Sequence, residues 1–105
     1  MELANKVVVI TGGSGGIGKA MARAFLAQGA KGIVLADLNA EAVAAAAVEI
    51  GCLSFTCDVT DEAAIGALVT YATEQLGPVD LFCSSFHLSL QHFLEIFRFV
   101  PSFIW

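Results

Sequence analysis

The chain is 105 residues long, carries a net charge of −5, and is 57% hydrophobic but only 14% charged. A chain of this length builds one small domain, and its hydrophobic content argues against disorder. The five lysines and arginines are scattered, which argues against binding nucleic acid through its phosphates. The first apolar run, 7–10, is too short for a signal sequence or a membrane span, so we expect a cytoplasmic protein.

The first predicted unit is a strand, a glycine-rich turn and a helix. Residues 6–11, KVVVIT, form a β-branched run that is typical of strands buried on both faces of a parallel sheet. After the glycines, Ile17, Met21 and Phe25 recur at four-residue spacing, which predicts a helix with these side chains on its apolar face. Gly29 is placed to end that helix.

Two further strand–helix units and a last strand follow. Residues 32–36 predict the second strand, and Asn39 is placed to cap the second helix. Residues 53–57 predict the third strand, 61–76 the third helix and 79–83 the fourth strand. The apolar faces of the second and third helices comprise Val43, Ala47 and Ile50, and Ile65, Leu68, Val69, Ala72 and Leu76.

The alternation of four strands with three helices predicts an α/β fold. Crossover helices between parallel strands are right-handed and cover both faces of the sheet. We therefore expect a parallel sheet with flanking helices, in a single domain over residues 1–84. Resemblance to the Rossmann fold implies the strand order 3-2-1-4 and a domain truncated after the fourth strand.

The composition changes at about residue 85. Five of the eight phenylalanines and the single tryptophan lie in the last 20 residues. The spacing of apolar residues over 90–100 predicts an amphipathic helix, and its polar side carries one cation, Arg98, whereas membrane-surface helices are rich in lysine and arginine. Residues 85–105 are therefore interpreted as a Phe-rich tail outside the domain, and membrane binding is not expected.

The cysteines and histidines give no sign of a metal or redox site. Cys52, Cys57 and Cys83 form no CxxC pair, and we expect them to be small buried side chains in a reducing compartment. His87 and His92 are five residues apart, whereas two ligands on one helical face are three or four apart. We therefore expect no bound metal.

The turn TGGSGGIG, 11–18, between the first strand and the first helix, carries the clearest chemical signal. Glycines there allow a tight turn, let the backbone approach a pyrophosphate, and let the helix pack on the strand. The helix N-terminus, with its N–H groups and dipole, favours a phosphate. The pattern predicts a dinucleotide site, and a flexible turn without ligand is the alternative. The residues predicted to contact the cofactor here are Gly12, Ser14, Gly16, Ile17 and Gly18.

Asp37 favours the dinucleotide site over the flexible turn. It ends the second predicted strand, 19 residues after Gly18. A carboxylate there accepts hydrogen bonds from both hydroxyls of the adenosine ribose and repels a 2′-phosphate. No arginine lies at 13–15 or beside Asp37 to pair with such a phosphate. The sequence therefore predicts NAD rather than NADP, with a solvated carboxylate at a strand end as the alternative.

The glycine turn resembles the TGxxxGxG motif of the short-chain dehydrogenase/reductase family. CDVT at 57–60 resembles the family's motif after strand three, which implies that Asp58 and Val59 contact the adenine. GPVDL at 77–81 resembles the entry to strand four. The resemblance covers residues 5–84 and implies an NAD-dependent oxidoreductase that moves a hydride between the nicotinamide and an alcohol or carbonyl carbon. The signature positions are Thr11, Gly12, Gly16 and Gly18.

The resemblance stops before the family's catalytic residues. Family members continue strand four with Asn-Ala-Gly, where this chain has Ser85, Phe86 and His87. They also use Tyr-x-x-x-Lys, in which the lysine tunes the tyrosine for acid/base chemistry at neutral pH. Tyr71 is the single tyrosine, Gln75 follows it at the lysine's spacing, and we interpret Tyr71 as a packing residue. We assign no catalytic residue and expect the chain to be inactive alone.

Three functions remain open at this point. The first is a nucleotide-binding fragment of an NAD-dependent dehydrogenase, and the second is a non-catalytic module that pairs with a full-length dehydrogenase. The third is an active enzyme with a different catalytic apparatus. The open edge of the fourth strand and an uncovered face of the sheet present unpaired backbone and apolar surface. Two alternatives stay open for the Phe-rich tail: it folds back over that surface, or it drives self-association. The abrupt change at residue 85 also suggests a shifted reading frame, a retained intron or a truncated gene model.

Overall fold

The protein forms one parallel sheet flanked by helices. The computed structural model describes residues 3–84 and the backbone of 103–104. The strand order is β3-β2-β1-β4-β5, which confirms the predicted α/β fold and the order 3-2-1-4 and adds a short fifth strand. The elements in chain order are β1 (Val7–Thr11), α1 (Gly16–Ala27), β2 (Gly32–Asp37), α2 (Ala40–Ile50), β3 (Leu53–Thr56), α3 (Glu62–Leu76), β4 (Leu81–Ser84) and β5 (Phe103–Ile104).

β1 lies between β2 and β4, and every one of its residues is buried. Its side chains alternate between the two faces of the sheet. Val7 and Val9 pack in the cluster that contains α3, whereas Val8 and Ile10 pack in the cluster that contains α1 and α2. Because both faces are covered, residues 7–10 are all apolar rather than alternating between apolar and polar, and the strand ends in the buried polar residue Thr11.

The predicted apolar faces of α2 and α3 are confirmed, but the face predicted for α1 is partly wrong. Ile17 is 71% exposed, because the row of α1 that meets the sheet begins with Gly18 and Ala22, one position further along. Met21 and Phe25 still pack partly buried against that face. The buried residues of α2 are Val43, Ala46 and Ala47. Those of α3 are Ile65, Leu68 and Ala72.

The helix ends follow from local chemistry. The Asn39 side chain caps α2 by accepting a hydrogen bond from the Ala42 N–H at 3.0 Å, as predicted. Asp61 caps α3 in the same way. α2 ends at Gly51, whose φ of 87° lies in the left-handed region that favours glycine. These caps set the lengths of the helices that return the chain to the sheet.

The fourth strand, β4, begins two residues later than predicted. Asp80 instead binds the start of β1: its backbone N–H donates to the Val7 carbonyl and its Oδ2 accepts from the Val7 N–H, both at 2.9 Å. On the outer side of β4, Phe82 and Cys83 are in register with the backbone of β5. Two residues of the predicted tail therefore pair with the edge that the sequence left open, and self-association through this edge stays a prediction.

Other expectations for the tail, the amphipathic helix over 90–100 and the histidine positions 87 and 92, lie outside the described residues. Within the part of the chain that the structure describes, none of the helices combines the length and hydropathy needed to cross a membrane.

Candidate cofactor-binding site

A cleft of about 360 Å³ opens where β1 runs into α1, beside the carboxyl end of β2. The carboxyl ends of parallel strands are the usual place for ligands in such sheets. The cleft brings together the predicted residues of the glycine turn and the predicted ribose contact, and adds Gly15. Its lining consists of Gly12, Ser14, Gly15, Gly16, Ile17, Gly18 and Asp37.

The glycines of the turn have different tasks. Gly12 has a φ of 70°, in the left-handed region that other residues rarely adopt. A Cβ atom on Gly18 would lie 2.6 Å from the Gly12 carbonyl oxygen, so this position must be glycine for α1 to pack on the turn. A Cβ atom on Gly16, which lines the cleft, would meet nothing within 4 Å. Gly16 thus leaves room for a ligand to approach the backbone.

The N-terminus of α1 faces this cleft with Gly16, Ile17 and Gly18. The first N–H groups of a helix have no acceptor within the helix. Gly15 is the N-cap, contributes no side-chain hydrogen bond, and no acidic residue lies in the first turn. The partial positive charge of the helix end is therefore not neutralised by a cap, which suits a phosphate. Gly15 was missed as a site residue, although its place directly before the helix was the available signal.

Asp37 borders the same cleft with its carboxylate held at both oxygens. Oδ2 accepts from the Ser14 N–H at 3.2 Å and from the Ser14 hydroxyl. Oδ1 accepts from the Leu38 N–H at 2.8 Å. Hydrogen bonds to a charged acceptor are stronger than neutral ones, so the carboxylate is fixed in position before any ligand arrives.

Backbone contacts fix the turn against β2. The Gly13 N–H donates to the Ala36 carbonyl at 3.1 Å, and the Gly15 N–H donates to the Gly12 carbonyl at 3.2 Å. A Cβ atom on Gly13 would lie 2.7 Å from Cβ of Leu35, so the close approach of turn and strand also depends on glycine there. The shape of the cleft is therefore built into the backbone.

Asp58 and Val59 are not among the residues that line the cleft. They follow β3, and the preceding residue, Cys57, donates its backbone N–H to the Asp37 carbonyl at 2.9 Å. The Asp58 side chain accepts from the Thr60 N–H at 2.9 Å and from its hydroxyl at 2.6 Å. Val59 packs against the core on the α3 side. Both lie next to the end of β2 along the sheet, and their contact with adenine stays a prediction.

Catalytic groups are not brought to this cleft by the described residues. Tyr71 packs on the core of the α3 side, with its ring centroid 5.1 Å from that of Phe55. Burial raises the pKa of the Cys57 and Cys83 thiols to about 11, so both stay protonated and unreactive at neutral pH. Within residues 3–84, no group of three or more His, Cys, Asp or Glu side chains is arranged to hold a metal.

Comparison with known proteins settles the family. The family model for short chain dehydrogenases matches residues 6–88. The chain belongs to the short-chain dehydrogenase family. The match begins just before β1 and includes the glycine turn, Asp37 and all of β4. The resemblance seen in the sequence motifs is thereby confirmed for the described domain.

Several short-chain dehydrogenases are similar to most of this chain. The (-)-isopiperitenol/(-)-carveol dehydrogenase of Mentha piperita is 39% identical over 88 residues, which are 80% of this chain and 33% of that protein. The sorbitol dehydrogenase of Cereibacter sphaeroides is 38% identical over 101 residues, 93% of this chain and 39% of that protein. A short-chain dehydrogenase/reductase from Burkholderia phymatum, solved in complex with NAD, superposes with a TM-score of 0.74 at 33% identity, covering 79% of this chain and 31% of that one.

The chain thus spans between a third and two fifths of the length of these two curated relatives. What it shares with them is the part of the fold that contains the glycine turn.

Proposed function

We propose that this chain binds NAD in the cleft and acts as the nucleotide-binding part of an NAD-dependent oxidoreductase. The observation that carries the proposal is that the Asp37 carboxylate and the uncapped N-terminus of α1 border one cleft. NAD presents the matching groups: a pyrophosphate anion and ribose hydroxyls that donate hydrogen bonds. When bound, NAD supplies the centre that accepts or donates a hydride.

Each part of the cleft has a role in this proposal. The backbone N–H groups at Gly16, Ile17 and Gly18 hold the pyrophosphate. The bare Cα of Gly16 lets the phosphates come close, since no side chain stands in the open space there. Asp37 accepts the ribose hydroxyls, and the segment of Asp58 extends the site toward the adenine.

The charges around the cleft favour NAD over NADP. The 2′-phosphate of NADP would face the Asp37 carboxylate, and no lysine or arginine is among the residues that line the cleft. The cations of α1 are engaged elsewhere: Lys19 and Arg23 pair with Glu49 of α2 at 3.3 and 3.2 Å. A second anion at Asp37 therefore has no partner to offset the repulsion.

Isothermal titration calorimetry with NAD and NADP tests this assignment. We expect wild-type chain to bind NAD more tightly than NADP. Asp37→Ala should weaken NAD binding about ten- to hundredfold, the value of a hydrogen bond to a charged group, and should bring NADP closer to NAD. Glu74→Ala, which removes the same charge from an exposed site in α3, is the matched control and should leave both affinities unchanged. NAD binding that is equally tight in Asp37→Ala would contradict the proposal.

We further infer that the chain of 105 residues holds the cofactor without turning it over. Tyr71 is packed on the core, and Gln75 stands where the family motif has lysine. The names of the relatives suggest an alcohol or the matching carbonyl compound as the substrate class of a longer protein that contains this domain. Incubation with NAD and a panel of alcohols, followed at the absorbance of NADH, should show no reduction. Steady NADH formation by purified chain would refute this part.

A further inference from the structure

We propose that the Ser14 hydroxyl occupies, in the free chain, an acceptor position on Asp37 that a ribose hydroxyl takes over when the cofactor binds. Ser14 is then a positioning residue that keeps the carboxylate oriented while the cleft is empty and leaves it on binding. This inference rests on the proposed function, because it requires the adenosine ribose to reach Asp37.

The number of acceptor positions on Asp37 is the first step. An ionised carboxylate offers about four lone-pair positions. Three are used: Oδ2 accepts the N–H and the hydroxyl of Ser14, and Oδ1 accepts the N–H of Leu38. One position is left, whereas the ribose brings two hydroxyl donors. Full recognition of the ribose therefore requires one of the three existing bonds to break.

Only one of the three donors is free to leave. The Leu38 N–H follows directly after β2, and the Ser14 N–H belongs to a turn that is tied to β2 by the bond from Gly13 to Ala36. Breaking either bond would move the backbone. The Ser14 hydroxyl leaves Asp37 by rotation about a single side-chain bond into another staggered position. Ser14 is only partly buried and lines the cleft, so its hydroxyl has space to turn into.

Displacement of a protein hydroxyl costs more than displacement of the water that would replace it. In Ser14→Ala the vacant position on Oδ2 is filled by solvent, which the ribose displaces more easily. The Ser14 N–H bond remains in that variant, so the turn keeps its shape. Removing the hydroxyl should therefore tighten the binding of a nucleotide with both ribose hydroxyls by about three- to tenfold.

Calorimetric titrations with ADP, 2′-deoxy-ADP and 3′-deoxy-ADP test the exchange, using wild type, Ser14→Ala and Ser14→Thr. ADP carries the adenosine ribose without the nicotinamide. We expect Ser14→Ala to bind ADP more tightly than wild type. Ser14→Ala should not bind at least one of the two deoxy nucleotides more tightly than wild type does. A ribose with a single hydroxyl can donate to the one acceptor position on Asp37 that is already open, so it does not need to displace the Ser14 hydroxyl. Ser14→Thr keeps the hydroxyl, so it should not show the gain in ADP affinity that we expect for Ser14→Ala.

Weaker or unchanged ADP binding in Ser14→Ala overturns the inference, as does an equal gain with both deoxy nucleotides. The free chain gives a second readout: the side-chain carboxyl ¹³C resonance of Asp37 should shift in Ser14→Ala without nucleotide. No shift would mean that the hydroxyl does not bind Asp37, and the inference would fail. If wild type binds NAD in an Asp37-dependent manner while these Ser14 tests fail, only the inference is lost. If Asp37→Ala has no effect on NAD, the proposed function fails first.

Discussion

Two glycines that look equivalent in the sequence should respond to a methyl group in opposite ways. In Gly18→Ala the new Cβ atom would lie 2.6 Å from the Gly12 carbonyl oxygen and 2.8 Å from Cα of Gly13. Both neighbours are backbone atoms of a turn that is fixed to β2, so neither can yield without moving the turn. In Gly16→Ala the new atom enters open space, and φ at this position is not in the left-handed region.

The two variants therefore differ in stability by a predictable amount. Overpacking against atoms that cannot relax costs about 3 kcal/mol, so Gly18→Ala should lose that much free energy of unfolding. At roughly 4–8 °C per kcal/mol for a domain of this size, the melting temperature should fall by about 12–24 °C. Gly16→Ala should gain about 0.5–1 kcal/mol, because alanine restricts the unfolded chain and favours the helix.

Urea denaturation followed by circular dichroism, combined with NAD titration, measures both effects. Gly16→Ala should remain folded and lose NAD affinity, because its methyl group stands where the phosphates approach. Gly18→Ala should have a lower free energy of unfolding than wild type, and this loss should be seen without NAD. Equal stability of Gly18→Ala and wild type would refute the packing role of Gly18. Unchanged NAD affinity in Gly16→Ala would refute the ligand-approach role of Gly16.

Stability measurements test three other contacts. Burial raises the pKa of the Cys83 thiol from 9.0 to about 11, so the unfolded chain loses this proton first and the free energy of unfolding should fall from pH 9 to 11. In urea titrations in reducing buffer, the decrease in the free energy of unfolding between pH 9 and 11 should be smaller in Cys83→Ala than in wild type, by up to about 3 kcal/mol. An equal decrease in both proteins would contradict the raised pKa of the Cys83 thiol. Asn39→Ala removes the cap of α2 and should cost about 1 kcal/mol, whereas Asn39→Asp keeps an acceptor and should cost less; equal losses would show that the cap is not the cause. Glu49→Gln removes two exposed ion pairs with α1 and should change stability by less than about 1 kcal/mol, so a larger loss in thermal melts would show that the pairs are not weak.

The strands and helices could be predicted because the local patterns agree with the topology, whereas the order of the strands came from the resemblance to the Rossmann fold. The first four residues of β1 are all apolar, and the structure buries the strand between two helical layers. Asn39 and Gly51 mark the two ends of α2, and each performs the capping that its chemistry predicts. Within residues 3–84 each crossover between parallel strands is a single helix, and local signals of this kind suffice to place those strands and helices.

The details of the cleft could not be predicted in the same way. The four-residue spacing predicted that Ile17 and Met21 lie on the apolar face of α1. The face that packs on the sheet is instead set by the close contact of Gly18 with the turn. Ser14 and Asp37 are 23 residues apart, and their hydrogen bonds exist only because the turn folds against β2. Spacing along a chain carries no information about such a bond.

The fifth strand was also missed. Phe103–Ile104 is a two-residue strand, and pairing of so short a segment depends on the register offered by β4 rather than on its own pattern. The sequence correctly identified β4 as an edge in need of a partner. The tail was one of the expected ways to cover that edge, but its pattern did not identify Phe103–Ile104 as the strand that pairs there.

The turn at Gly51 is a suitable site for inserting a tag or a reporter. It lies where α2 returns to β3, at the rim opposite the cleft, and space is open around it. A short peptide epitope or a fluorescent reporter inserted there would project into solvent on the far side from the nucleotide. The protein could then be tethered to a sensor chip with its binding face outward, so that affinities measured on the surface would match those measured in free solution.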